Sequence, residues 1–90
     1  MIKETKIILN SGISITINEK DKVAINIKND SKYLCHDITH IEDIPAIIMD
    51  AKDDIIIHHA ISTGEYMEYY LTRDKITWCY YSSIPEKVIE

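Results

Sequence analysis

The chain has 90 residues, 46% of them hydrophobic and 28% charged. That is one domain, 1–90, with an ordinary globular balance; two independent cores and a disordered chain are both excluded. Two glycines and two prolines exclude collagen-like and low-complexity classes.

Ten Lys and Arg against fifteen Asp and Glu give a net charge of −5. A single arginine, Arg73, cannot supply the basic stripe that phosphate neutralisation needs, so direct contact with nucleic acid is not expected. The charge is uneven. Residues 33–68 hold one base, Lys52, against eight acids (Asp37, Glu42, Asp43, Asp50, Asp53, Asp54, Glu65 and Glu68), a local charge of −7. Isoleucine supplies 20 residues, and its stiff, branched side chain favours the pleated surface of a strand. Met1–Lys6 lacks the apolar stretch of a signal peptide, and no run approaches the ~20 apolar residues of a spanning helix. The expectation is a cytoplasmic protein without membrane contact, whose Cys35 and Cys79 are free thiols.

In chain order, residues 5–9 and 13–17 read as strands joined by Asn10-Ser11-Gly12, with Gly12 at the left-handed position of a three-residue hairpin loop. That register pairs Ile7 with Ile15 and Leu9 with Ile13. Residues 18–22 are a polar turn. Residues 23–28 alternate again, and placing Val23, Ile25 and Ile27 opposite Ile17, Ile15 and Ile13 gives a three-stranded meander with one aliphatic face. After a turn at 29–32, residues 33–38 are a fourth strand. Thr39-x-x-Glu42 has capping-box spacing, but Pro45 fits a helix better when Asp43 is the N-cap. A helix from there to about residue 53 turns Ile44, Ile47, Ile48 and Ala51 inward. Residues 54–61 are a fifth strand, with one of His58 and His59 facing in and the other out. Residues 66–72 and 75–81 pair as a hairpin about Arg73-Asp74, with Leu71, Ile76, Tyr69, Trp78, Met67 and Tyr80 on its core face. Tyr66 then opposes Tyr81, Glu68 opposes Cys79, and Tyr70 opposes Thr77 on the outer face. Residues 82–90 are a tail with one helical turn after Pro85. The order β-β-β-β-α-β-β-β implies an α+β fold: a mainly antiparallel sheet of six to seven strands, curled onto a single helix.

Chemistry is sparse. His36, His40, His58, His59 and the two cysteines match no metal-ligand spacing. Both glycines fit turns, so no phosphate-binding loop exists, and no nucleophile elbow is present. No cofactor, metal or catalytic residue is assigned, and the chain is not expected to be an enzyme. Two surfaces remain. One is acidic: Glu42, Asp43, Asp50, Asp53 and Asp54, suited to a basic partner. The other is aromatic: Tyr66, Tyr70 and Tyr81 around Glu68, and tyrosine is enriched at interfaces.

In composition alone, and over no motif, the chain resembles phage-encoded inhibitors of host defence (anti-CRISPR proteins among them), immunity proteins and antitoxins. That resemblance implies a small acidic stoichiometric inhibitor of a basic, nucleic-acid-handling protein, acting by phosphate mimicry or by strand addition. The alternatives are a homodimeric or oligomeric accessory protein joined through its sheet edges, and a small metal-dependent enzyme using the four histidines.

Overall fold

The computed structural model describes residues 1–85. Alternation of aliphatic and polar residues produces β1 (Ile2–Leu9), β2 (Ser14–Asn18), β3 (Lys22–Asn29) and β4 (Lys32–Ile38). After a 3-10 turn at Ile41–Asp43 come α1 (Ile44–Asp50), β5 (Asp54–Ala60), β6 (Tyr66–Thr72) and β7 (Ile76–Ile84). The fold is α+β, in the expected order, with antiparallel strands and one short helix packed against them. The strands form two sheets rather than one curled sheet, β2-β1-β7 and β4-β3-β5-β6.

The β1–β2 hairpin has the register that its loop dictates: Ile7 opposes Ile15, the Leu9 amide donates to the Ile13 carbonyl at 2.9 Å, and Gly12 takes φ 92°. Between β3 and β4 the chain reverses over Asp30, a residue that tolerates its left-handed φ of 59°. Ile7, Ile15 and Ile17 on one sheet, Val23, Ile25, Ile27, Ile55 and Ile57 on the other, and Ile41, Ile44, Ile48 and Ala51 from the helical segment bury into one continuous cluster. Each fully buried isoleucine contributes roughly 1.5–3 kcal/mol of transfer free energy.

The meander breaks at β3. β2 pairs only with β1, while β3 pairs with β4 and β5 in the second sheet. The polar turn is a corner, and Asp21 is its anchor. The Asp21 amide donates to the Asn18 carbonyl at 3.0 Å, and the Asp21 carboxylate accepts from the amides of Asn18 and Ser62, both at 3.0 Å. The chain is thereby fixed to the loop after β5 instead of folding back along β2.

The expected β6–β7 hairpin is also absent. β6 pairs with β5, and β7 pairs with β1. A 3-10 turn at Arg73–Lys75 carries the chain between the sheets. It is held by Arg73 N–H to Asp53 O and by Asn10 N–H to Lys75 O, both 2.9 Å. The register of β1 on β7 then shifts by one residue, from Leu9 opposite Ile76 to Ile8 opposite Trp78. Such an irregularity inverts every later side chain. Cys79, not Trp78 or Tyr80, therefore enters the core, and Trp78 is 54% exposed. Met67, expected in the core, is also exposed.

Asp43 occupies the N-cap position but its side chain makes no capping hydrogen bond, and Pro45 lies in the first turn. The helix ends at Asp50, three residues before the expected end, because Ala51 is extended and the Lys52 amide turns to Asn29 Oδ1 at 3.1 Å. Ile44, Ile48 and Ala51 are buried, with Ile47 packed beside them. The Thr5 hydroxyl, wholly buried, donates to the Ile41 carbonyl at 2.7 Å and ties β1 to the helical segment. Ser82–Ile84, expected as tail, continue β7; the expected helical turn after Pro85 lies outside the described residues.

Candidate functional site

β5 sorts its two histidines by the alternation of a strand. His59 faces the core and is 2% exposed. Its Nε2 lies 2.7 Å from Asp21 Oδ2, and its Nδ1 has no hydrogen-bond partner. The tautomer with hydrogen on Nε2 donates to the carboxylate and leaves only an acceptor unmatched. Burial by itself would push the Asp21 carboxyl up. The bonds from His59, Asn18 and Ser62 outweigh it and hold that carboxyl below its ordinary value. This pair is structural: it closes the corner and has no outlet to solvent.

His58 faces outward, on the outer face of the four-stranded sheet. Register fixes that face in rows. Asp37, Ala24, His58 and Glu68 lie across it, flanked on one side by Cys35, Asn26, Ile56 and Tyr70, and on the other by Lys22, Ala60 and Tyr66. Tyr33 and Lys28 continue it toward Asp54 and Thr72, with Lys28 Nζ 5.8 Å from the centroid of the Tyr33 ring. Tyr33, Tyr66 and Tyr70 are 57%, 58% and 70% exposed. Tyr33 and Tyr70 flank a shallow groove floored by Ile56 and Leu71, with Asp54 at its rim.

Glu68 is the centre of this face. Tyr66 and Tyr70 stand two residues to either side on the same strand, so both rings point the same way. Tyr66 OH donates to Oε1 and Tyr70 OH donates to Oε2, each at 2.8 Å. His58 Nδ1 lies 2.9 Å from Tyr66 Oη and 3.2 Å from Glu68 Oε1. These hydroxyl bonds pull the Glu68 carboxyl below its ordinary range, and the same bonds raise both tyrosines. The result is a carboxylate held between two exposed tyrosines on the outer face of the sheet.

The remaining residues suggested by sequence are dispersed. Tyr81 is half-buried on β7, paired with Thr5 and packed on the core, so it is not opposite Tyr66. Glu42 and Asp43 are exposed in the 3-10 turn, where Glu42 lies 3.9 Å from His40. Asp50 lies at the helix end, on a groove with Leu34, His36 and Ile47. Exposed Asp53 offers its carbonyl to Arg73, and of Glu42, Asp43, Asp50, Asp53 and Asp54 only Asp54 reaches the tyrosine face. Sequence reading missed Tyr33, which the β3–β4 register brings onto that face, and Trp78, which the register shift turns out of the core on the opposite side of the molecule.

Among the described residues no three His, Cys, Asp or Glu side chains converge as metal ligands. His36, His40, His58 and His59 sit respectively on edge strand β4, before the 3-10 turn, on an outer face and in the core, so the histidine constellation is not assembled. Cys35 is exposed on the four-stranded sheet, and Cys79 is buried in the other. Burial pushes the Cys79 thiol up to about 12, which leaves it a packing residue. No described helix is long and apolar enough to cross a membrane. The chain matches no protein-family model, no curated protein and no solved structure.

Proposed function

We propose that the protein is a non-enzymatic protein-binding module whose contact surface is the outer face of the β4-β3-β5-β6 sheet. One observation carries this: Tyr33, Tyr66 and Tyr70 are each more than half exposed on that face, and the last two hold one fixed carboxylate between them. Exposed aromatic rings are among the residues that dominate binding energy when a partner covers them. The sharpest version is a stoichiometric inhibitor of a basic, nucleic-acid-handling protein. Its support is the net charge of −5 and the placement of Asp37, Asp54 and Glu68 on the same face as the tyrosines. Lys22 and Lys28 share the face, so a partner's Lys/Arg groove meets complementary charge at the three carboxylates rather than over the whole face.

The test is capture from a lysate of the source organism at low salt, with elution by a salt gradient and analysis of eluates for protein and nucleic acid. The proposal expects one dominant protein, released at moderate salt and absent with the Y66A/Y70A variant. Nucleic acid bound without protein overturns it.

A homo-oligomer is the second reading, and edge strand β4 favours it. Tyr33, Leu34 and Cys35 on that strand are all exposed, and its outer backbone edge is unpaired in the sheet order. A concentration-dependent mass in light scattering, lost on substituting Leu34 by Lys, supports this reading. A monomer at all concentrations removes it.

A further inference from the structure

From the hydrogen-bond inventory of the Glu68 cluster we infer that the site formed by Tyr66, Glu68 and Tyr70 receives an arginine side chain, a guanidinium, of the partner protein. The inference rests on the binding role proposed above and gives that face its ligand chemistry.

Protons decide the matter. Each tyrosine hydroxyl has one hydrogen, and both are spent on Glu68 at 2.8 Å. The carboxylate is the strongest acceptor in the group, so neither hydroxyl turns outward. His58 Nδ1 faces two oxygens at 2.9 and 3.2 Å; a lone pair there would be repelled by both, so Nδ1 carries its hydrogen and points it inward as well. What remains toward solvent is a set of unshared pairs: one on Glu68 Oε2, those left on the two phenolic oxygens, and His58 Nε2 when the ring is neutral. With that ring neutral, the site accepts hydrogen bonds and has no hydrogen of its own to give. A ligand with acceptors of its own, such as a phosphate, a carboxylate or a carbonyl, meets only repulsion.

The complementary group is a cation that only donates. Lysine and arginine both qualify, and the rings separate them. Tyr66 and Tyr70, 58% and 70% exposed, flank the carboxylate and offer π-systems on which a flat guanidinium stacks while its N–H groups reach the oxygens; an ammonium offers no plane. Among the described residues the chain's own Lys and Arg side chains make no ion pair with this carboxylate, although Lys22 lines the adjoining groove with His58 and Tyr66. The near neighbour of Glu68 is the His58 ring, with Nδ1 3.2 Å away. Lys28 lies over Tyr33, and Arg73 is engaged by the Ile76 carbonyl and Met49. The carboxylate is also already organised by the two hydroxyls, so binding need not order it.

The test is an amide-resonance titration of the 15N-labelled protein with three capped peptides, Gly-Arg-Gly, Gly-Lys-Gly and Gly-citrulline-Gly. Citrulline keeps the shape of arginine without its charge and carries a carbonyl acceptor. The expected result is saturable shifts at His58 and Tyr66–Tyr70 with the arginine peptide. The lysine peptide binds more weakly, and the citrulline peptide at least about tenfold more weakly. E68Q and, separately, Y70F lower the arginine affinity, while their spectra elsewhere stay those of the folded wild type. Equal binding of the citrulline or lysine peptide overturns the inference. So does an arginine titration unchanged by E68Q, shifts centred on Asp50 and Asp53 instead, or no saturable shift. A partner captured through the tyrosine face with no arginine preference sinks the guanidinium assignment and leaves the binding role standing. Arginine-peptide binding with no protein partner does the reverse.

Discussion

Two adjacent residues of β5 carry the same chemistry into opposite environments. His59 meets Asp21 inside the core, and His58 meets Glu68 on the open face. Both carboxyls are held below their ordinary values by hydrogen bonds. The bonds around Asp21 are aimed inward and join parts of the chain far apart in sequence: β2, β5 and the loop after it. Those around Glu68 come from its own strand and the neighbouring one, and they leave lone pairs toward solvent. A histidine–carboxylate pair is therefore a structural clamp or an available surface according to where its partners come from and what it has left over. Alternation along one strand decides which.

The comparison is sharpest in stability. D21A leaves the Asn18 and Ser62 amides and the His59 N–H without an acceptor, and is expected to cost about 3–5 kcal/mol in urea unfolding. E68A, on an exposed pair, is expected to leave the urea midpoint close to that of the wild type. Similar losses for the two would erase the distinction.

Acid sharpens it further. Asp21 titrates in the folded chain below its unfolded value of 3.8. Its contribution is therefore complete above that pH and is lost as pH falls from there through the lower folded value. The wild type should lose stability steeply below about pH 4, and D21N should show a flatter acid limb. An unchanged acid limb in D21N would place the acid sensitivity elsewhere.

The smallest expected effect concerns the thiols. Cys35 should react with iodoacetamide at the rate of an exposed thiol, and Cys79 only through unfolding, since burial holds it protonated. D21A should accelerate Cys79 modification by the factor its lost stability adds to the unfolded population, about tenfold per 1.4 kcal/mol, whereas E68A should leave it unchanged. Fast labelling of Cys79 in the wild type would contradict the core assigned to β7.

Much of the local structure was legible in the sequence. The β1–β2 hairpin follows from Gly12, β6 was bounded to the residue, and the opposed orientation of His58 and His59 follows from alternation alone. So does the common face of Tyr66, Glu68 and Tyr70, since residues two apart in a strand share a side. Long-range pairing was not legible. Asp21 looks like a solvated turn residue until the β5 loop supplies its partners. The turn Arg73–Lys75 looks like a tight hairpin until its bonds to Asp53 and Asn10 pull the strands into different sheets. The register shift beside Thr77 is a one-residue insertion, and no alternation pattern announces where it falls; it alone moved Trp78 out of the core and Cys79 in. An inward-facing histidine, which needs a hydrogen-bond partner once buried, was the one available hint that a polar group such as Asp21 had to be buried with it.

The central claim is that the partner covers the four-stranded sheet, and it is tested most directly by comparing the two outer faces. The captured partner's affinity would be measured for wild type, for Y66A/Y70A, and for W78A, which removes the exposed aromatic of the opposite sheet. The account predicts that Y66A/Y70A loses at least about 2 kcal/mol of binding, the scale of an interface hot spot, and that W78A binds as the wild type does. Binding that survives Y66A/Y70A but fails with W78A would place the functional surface on the other sheet and contradict the account.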